Sequence, residues 1–137
     1  MLTACMASGN GVFGGSSSGF ILSTGSRGED CGATQNAQHG FLVTSGCTLT
    51  NCTAADNGSA VLGNAGFRAT GADTTFDSCT ATGNQVGFNA TGGCILTRNR
   101  ASGNTTNFSL IGTNFLGAIV TTAAGVATAN GWANFEF

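Results

Sequence analysis

Residues 79–90 read Cys-Thr-Ala-Thr-Gly-Asn-Gln-Val-Gly-Phe-Asn-Ala, and this stretch is one copy of a pattern that recurs through the chain. Each copy has a cysteine (an asparagine in the last copy), an alanine two residues later and an asparagine three residues after that. A glycine and a phenylalanine follow, except in the last copy, where an asparagine replaces the glycine. Because repeats of about 20 residues mark stacked structural units, this pattern is the first guide to the fold.

Three columns of aligned residues define the repeat. The phenylalanine column contains Phe20, Phe41, Phe67, Phe88 and Phe108. The asparagine column contains Asn10, Asn36, Asn57, Asn84 and Asn104. The cysteine column contains Cys5, Cys31, Cys52 and Cys79, and Asn99 follows it. We expect each asparagine to take a left-handed turn conformation and to hydrogen-bond its stacked neighbour, and the rings to stack, so that both columns fix the register between coils.

Each repeat also contains three short segments with strand alternation. Two of them are Phe-x-aliphatic and Cys-x-Ala, and the third carries an apolar column. That column contains Leu2, Leu49, Phe76 and Leu96, with Gly28 as the exception. Three strands in about 20 residues cannot close a core alone, but stacked in parallel at about 4.8 Å per coil they bury a continuous one. The sequence therefore predicts an all-β fold, a parallel β-helix (a solenoid) of about five coils.

The end of the chain departs from the repeat. We assign residues 1–112 to the coils and residues 113–137 to a C-terminal capping segment of the same domain. A solenoid must cover its terminal coil or expose unpaired strand edges. Trp132, Phe135 and Phe137 provide three aromatic side chains for such a cap.

The Cys-x-Ala-x-x-Asn pattern followed by Gly-Phe resembles the repeat of right-handed parallel β-helix proteins of the pectate-lyase-like kind. The Trp-Ala-Asn-Phe sequence at residues 132–135 is similar to the C-terminal caps of some bacterial β-helix proteins. The resemblance covers residues 2–112 and implies a right-handed solenoid in a secreted protein. It leaves the activity open, because this fold carries lyases, hydrolases, adhesins and inert fibres.

The composition excludes several function classes. The 137 residues include 23 Gly and no Pro, only 7% are charged, and the formal net charge is −2. Because phosphate binding needs a basic stripe, four arginines argue against a nucleic-acid partner. No apolar run is long enough for a membrane-spanning helix. No basic leader precedes an apolar stretch, so the extracellular or cell-surface location is expected from the resemblance alone.

Two repeats carry additional residues before Gly-Phe, at 11–18 and 58–65. Both insertions contain an apolar pair, Val12-Phe13 in one and Val61-Leu62 in the other. One interpretation is that these pairs fold over the edge of the coils. The other is that they form a contact strip for a partner.

The six cysteines do not read as a disulfide framework or a zinc site. We expect the cysteine column to be a buried stack of thiols, since in-register parallel stacking gives poor disulfide geometry. Cys47 and Cys94 align with Thr74 between them, which places them two coils, about 10 Å, apart. There is no Cys-x-x-Cys, and the single histidine, His39, is expected at an exposed turn, so no metal site is predicted.

The charged residues do not form a compact constellation. Glu29 and Asp77 share a column with Thr50 between them, which separates the two carboxylates by about 10 Å and places them at the long limit for a glycosidase pair. Asp30 and Arg98 share the next column. We therefore predict no catalytic residues and no cofactor. The threonines form no regular outward array, which argues against ice binding.

The function expected from these features is a non-catalytic extracellular or cell-surface structural module, self-assembling head-to-tail into filaments or acting in adhesion. Leu2 and Cys5 already belong to repeat columns, so the first coil is expected to be open, and other copies of the chain or preceding coils are the expected partners. The alternative is a fragment of a carbohydrate-active β-helix protein, a lyase, hydrolase or tailspike-like binder, with a glycan along one strand face.

Overall fold

The computed structural model describes residues 1–11, 17–58, 63–122, 125–126 and 129–137. Val12, Phe13, Val61 and Leu62 lie outside the described residues, so the two interpretations of the inserted loops stay predictions. Within the described residues, no helix has the length and apolar character needed to cross a bilayer.

Three parallel sheets of very short strands form the molecule. Sheet 1 contains, in spatial order, β1 (Leu2–Thr3), β4 (Arg27–Glu29), β7 (Thr48–Thr50), β10 (Thr75–Asp77), β13 (Ile95–Thr97) and β16 (Phe115–Leu116). Sheet 2 contains β2 (Met6–Ser8), β5 (Gly32–Thr34), β8 (Thr53–Ala55), β11 (Thr80–Thr82), β14 (Arg100–Ser102), β18 (Asn134–Glu136) and β17 (Ile119–Val120). Sheet 3 contains β3 (Phe20–Leu22), β6 (Phe41–Val43), β9 (Ala65–Ala69), β12 (Val86–Ala90) and β15 (Thr106–Leu110).

Each of the first five coils contributes one strand to each sheet. The register is that of the sequence repeat: Phe67 pairs with Phe41 on one side and Phe88 on the other. Five coils, β1–β3 through β13–β15, are followed by a partial sixth made of β16, β17 and β18. The predicted all-β parallel β-helix with three strands per coil is confirmed, and it winds with the right-handed sense that parallel crossovers take.

Single residues with positive φ turn the chain at both ends of the sheet 2 strands. The residues before the cysteine column are Ala4, Asp30, Asn51, Ser78 and Arg98, with φ between 52° and 57°. The residues before the asparagine column are Gly9, Gln35, Asp56, Gly83 and Gly103, with φ between 54° and 66°. The expectation that the asparagines themselves take the left-handed conformation is therefore wrong. The preceding residue makes the turn, which directs the asparagine side chain into the interior.

The core is a thin column of stacked side chains. Its largest fully buried residues are Phe41, Phe67, Phe76, Phe88, Leu49 and Leu96. Gly28 interrupts the apolar column of sheet 1 because the Leu49 side chain occupies the space: a Cβ at Gly28 would lie 2.6 Å from Leu49 Cδ2. The core is thus filled coil by coil, with a large residue compensating for a small neighbour.

The two ends of the solenoid differ in shape. At the N-terminal end the three sheets finish level, with β1, β2 and β3. At the C-terminal end sheet 3 stops at β15, while sheet 1 continues by one strand and sheet 2 by two. Strand β18 lies between β14 and β17, although β17 comes earlier in the chain. The C-terminal end is therefore stepped by up to about 10 Å.

Candidate functional site

The asparagine column forms a continuous hydrogen-bonded ladder. Each asparagine of the first four coils donates both its backbone N–H and its Nδ2 to the Oδ1 of the asparagine in the next coil, at 2.8–3.1 Å. Asn57, fully buried, also donates Nδ2 to the carbonyl of Ala33 at 2.9 Å. At the far end Asn104 donates Nδ2 to Asn107 Oδ1 at 2.9 Å. The ladder couples all five coils through buried polar contacts and has a fixed direction.

The ladder requires a glycine in the Gly-Phe pair, because a side chain there would collide with an asparagine amide. A Cβ at Gly40 would lie 2.9 Å from Asn57 Nδ2, and a Cβ at Gly66 would lie 2.8 Å from Asn84 Nδ2. Both would also approach a carbonyl oxygen of the following coil, at 2.6 and 3.0 Å. Only glycine leaves room for the amide here, so the two columns form one structural device.

The phenylalanine column forms a stack of parallel rings. Consecutive rings from Phe20 to Phe108 have centroids 4.9–5.3 Å apart and interplanar angles of 14° or less. Phe76 packs at a tilt against both Phe67 and Phe88. Because ring spacing matches strand spacing, the stack reinforces the same register as the ladder.

The cysteines are all unbridged thiols. Cys31, Cys52 and Cys79 are buried, whereas Cys5 in the first coil is half-buried. Each thiol of the column donates to the carbonyl two residues earlier in its own coil, at 3.2–3.4 Å. The backbone N–H of one cysteine lies against the sulfur of the next coil's cysteine. Burial raises the pKa of Cys31 and, more strongly, of Cys79, which keeps these thiols protonated.

Charged residues meet at one place in the described chain, on the outer face of sheet 1. The Asp77 carboxylate accepts two hydrogen bonds from the Arg98 guanidinium and one from the Thr97 hydroxyl. The Arg98 hydrogen bond is the main reason why the pKa of Asp77 lies below its usual value. Glu29 lies two strands away in the same column, with Thr50 between. Within the described residues, no three His, Cys, Asp or Glu side chains are grouped closely enough to hold a metal ion.

His39 is buried, and its expected placement at an exposed turn is wrong. It is 7% exposed, and its Nδ1 accepts the backbone N–H of Ala65 at 2.9 Å. Burial, with a contribution from Arg68, lowers the pKa of His39 to about 4. The reason for the difference is that the imidazole serves as a backbone acceptor inside the coil stack, as the asparagine amides do.

The three C-terminal aromatic residues lie on the outside of the solenoid. Trp132 is 59% exposed and lies over the Arg98 guanidinium, whose Cζ is 5.1 Å from the ring centroid. Phe135 is level with Arg100 in sheet 2, and its ring stacks against that of Phe137 at 6.3 Å. These rings were expected to cover the last coil, but Trp132 and Phe137 are more than half exposed, and the alternation of β18 places Phe135 on the outer face with Arg100.

Small and polar residues lie against the last coil instead. Among the described residues of this segment, Ala133 and Asn134 are buried there, and Val120, level with Phe135 in sheet 2, is also buried. Asn134 Oδ1 accepts from both the backbone N–H and Nδ2 of Asn99, and Asn134 Nδ2 reaches the carbonyls of Leu96 and Gly117. The cysteine column therefore continues as a short second amide ladder, in which Asn99 Oδ1 accepts the backbone N–H of Cys79.

An open groove of about 320 Å³ lies beside this segment. It is lined by exposed apolar side chains and a few polar groups: Ile95, Thr97, Phe115, Leu116, Asn130 and Trp132. Phe115 continues the outward column of Ile95 in sheet 1, and Trp132 closes the side. Sequence reasoning missed this groove, since it depends on where the chain returns after β17.

Comparison of the chain with known protein families, with curated proteins and with solved structures found no match.

Proposed function

We propose that the chain is a non-catalytic structural β-solenoid module that acts outside the cell or at its surface. The observation that carries this proposal is the uninterrupted pair of inter-coil devices, the asparagine ladder and the phenylalanine stack. Most of the distinctive interior residues are used to hold one coil to the next, which is what a rigid rod requires.

The state of the acidic residues supports the non-catalytic part of the proposal. A general acid in glycoside chemistry needs a raised pKa. Asp77 has a lowered pKa because Arg98 holds it as a carboxylate. Glu29, the other member of its column, is two coils away and separated by Thr50. Measurable cleavage of uronate polymers by the purified protein would overturn this part.

The module is proposed to work by end-to-end contact with other β-helical coils, either in filaments of this chain or in an adhesive assembly. Negative-stain electron microscopy with light scattering after size exclusion tests the filament form. Long unbranched filaments would support it, whereas monodisperse particles of 13.5 kDa would remove it. The stepped C-terminal end weighs against flush head-to-tail contact of two copies, because sheet 2 projects two strands beyond sheet 3.

A second candidate function is glycan binding, as in the pectate-lyase-like proteins whose repeat this chain resembles. The observation that favours it is the C-terminal groove, where Trp132 and Phe115 expose 59% and 65% of their surface. Exposed aromatic faces beside polar groups such as Thr97 and Asn130 match the alternating apolar and hydroxyl faces of a sugar.

Fluorescence tests this second candidate directly, because Trp132 is the only tryptophan. Titration with oligogalacturonates and neutral oligosaccharides should shift its emission if a sugar enters the groove. Phe115→Ala should then weaken binding by about tenfold. Ile111→Ala is the matched control, since Ile111 is 61% exposed at the same end but does not line the groove. An unchanged spectrum with every sugar would remove the candidate.

A further inference from the structure

The N-terminal face, defined as the outer edge of β1, β2 and β3, is level across all three sheets. Its inward-facing residues Leu2, Cys5 and Ala7 are only half-buried. The aligned residues one coil on, Cys31 and Ala33, are 2% and 0% exposed. The first coil therefore has the geometry of an interior coil, and no layer formed by the described residues covers it.

The direction of the asparagine ladder shows what chemistry this layer must bring. Every later asparagine of the ladder receives two N–H donors on Oδ1 from the coil before it. Asn10 donates to Asn36 in the same way, but no described residue donates to Asn10 Oδ1. In the pattern of the ladder, this oxygen would accept the backbone N–H and the Nδ2–H of an asparagine in a preceding coil.

The other two columns end at the same face with the same open side. Phe20 stacks on Phe41 at 4.9 Å, and no other described ring stacks against it. The sulfur of Cys31 receives the backbone N–H of Cys5, and Cys5 itself is half-buried where the later cysteines of its column are buried. Two unfilled positions in register, an amide and an aromatic ring, beside a half-buried thiol specify the docking partner better than an apolar patch would.

We infer that the N-terminal face docks a further parallel β-helical coil, which brings an asparagine amide onto Asn10 and an aromatic ring onto Phe20 and adds one strand to each sheet. This inference rests on the proposed structural function and names its partner surface. The C-terminal end of a second copy fits less well: it is stepped, and its Asn104 amide already donates to Asn107. The partner coil must instead present three level strands.

One coil of the chain itself can serve as the test partner for this inference. Residues 28–48 form one coil without an inserted loop, and in the protein they directly precede Leu49, which shares a column with Leu2. A copy of residues 28–48 placed before Leu2, in place of Met1, should enter the stack in register. The readouts are the native-state alkylation rate of Cys5 and the hydrogen exchange of residues 2–8.

In the parent protein Cys5 should be alkylated at least about tenfold faster than Cys31, and the added coil should slow Cys5 by at least about tenfold. A scrambled 21-residue extension should give no protection. The same extension with the copy of Asn36 changed to alanine should protect at least about threefold less, because it brings no amide to Asn10.

Three results would overturn the inference. Cys5 that reacts equally fast with and without the added coil, in a folded protein, shows that the face does not accept a coil. Cys5 already protected in a monomeric parent shows that this chain covers its own face. Cys5 protected only in an oligomer identifies a second copy as the occupant. Cleavage of uronate polymers, the result that would overturn the non-catalytic proposal, changes none of these readouts, so failure here is distinguishable from failure of the proposed function.

Discussion

Two corners border the same sheet and have the same backbone, yet they differ in chemistry. At both ends of the sheet 2 strands a residue with positive φ turns the chain and is followed by an inward-facing side chain. At one corner that side chain is an asparagine in all five coils, and at the other it is a cysteine in the first four. The asparagine accepts and donates between coils, whereas each thiol of the column donates to a carbonyl of its own coil, although Cys79 also lies 3.5 Å from the carbonyl of Leu49 in the preceding coil.

The difference separates two tasks that a repeat must perform. An amide oxygen that accepts two N–H groups and an amide nitrogen that reaches the coil behind it fix both register and direction. A thiol is a weak donor and acceptor that mainly fills space. We infer that the asparagine corner sets the alignment of the coils and that the cysteine corner fills the remaining volume.

The largest expected effect comes from breaking one corner and not the other. Asn57→Ala should lower the free energy of unfolding by about 4 kcal/mol, because it removes the buried acceptor of the Asn36 backbone N–H and side-chain amide and the donor that reaches the Ala33 carbonyl. Cys52→Ala, in the same coil, should lower it by only about 1 kcal/mol. Urea unfolding monitored by circular dichroism measures both, and equal losses would contradict the division of tasks.

The next effect tests whether the asparagine corner requires its glycine. Gly66→Ala should cost about 3 kcal/mol, because the new Cβ would press on Asn84 Nδ2 and on the carbonyl of Gly87. Gly131→Ala is the control, since no atom of the described residues lies within 4 Å of a Cβ there. If both variants unfold at the parent's urea concentration, the glycine column has another cause.

A smaller effect is expected at His39. Its imidazole accepts a backbone N–H, as the asparagine amides do, but unlike an amide it can be protonated. Unfolded His39 protonates near its ordinary pKa of 6.5, while the folded protein resists protonation down to about 4. Between these values the unfolded state binds more protons, so stability is complete above pH 6.5 and declines as the pH falls toward 4. The loss should be about 2 kcal/mol.

His39→Asn provides the comparison for this pH dependence. An asparagine oxygen can accept the same Ala65 N–H without titrating. The variant's free energy of unfolding should therefore change less than the parent's between pH 6.5 and 4.5, apart from the carboxylates shared by both proteins. Parallel pH profiles would show that the imidazole is not held neutral by the fold.

The smallest effect is expected when a cysteine of one corner is replaced by asparagine, the residue of the other corner. Cys79 already donates to the carbonyl of Leu49 at 3.5 Å, the counterpart of the bond that Asn99 Nδ2 makes to Phe76. Cys79→Asn should therefore change the free energy of unfolding by less than about 1 kcal/mol. Cys79→Asp, of equal size but buried and charged, should cost several times more. A large loss in the asparagine variant would show that the cysteine corner lacks room for a ladder.

The repeating parts of the fold were predictable from the sequence, since each column of residues recurs in several coils. Phe67 or Asn57 alone carries little information, but its equivalents at regular spacing indicate a stack. His39 occurs once, and nothing in its neighbours indicates that it replaces an amide as an acceptor. The left-handed position was misplaced by one residue because the repeat marks a corner without saying which of two adjacent residues has positive φ.

The C-terminal segment was less predictable for a related reason. Asn134 continues the column of Asn99, but 35 residues separate the two, outside the 20 to 27 of the other steps. The available signal was the Ala-Asn-Phe sequence at residues 133–135, which places an asparagine before an outward residue, as Asn99 precedes Arg100 one coil earlier. The groove beside Trp132 had no sequence signal, because it depends on a chain return that no other coil repeats.

The insertion of β18 between β14 and β17 has a consequence for synthesis on the ribosome. Coils can stack as they emerge, since each pairs with the one made just before it. Strand β17 cannot do so, because its one ladder partner among the described strands is β18, which is translated later. The newest end of the growing solenoid therefore stays uncovered until Asn134 has been translated, so that β17 and β18 join the stack in one late step.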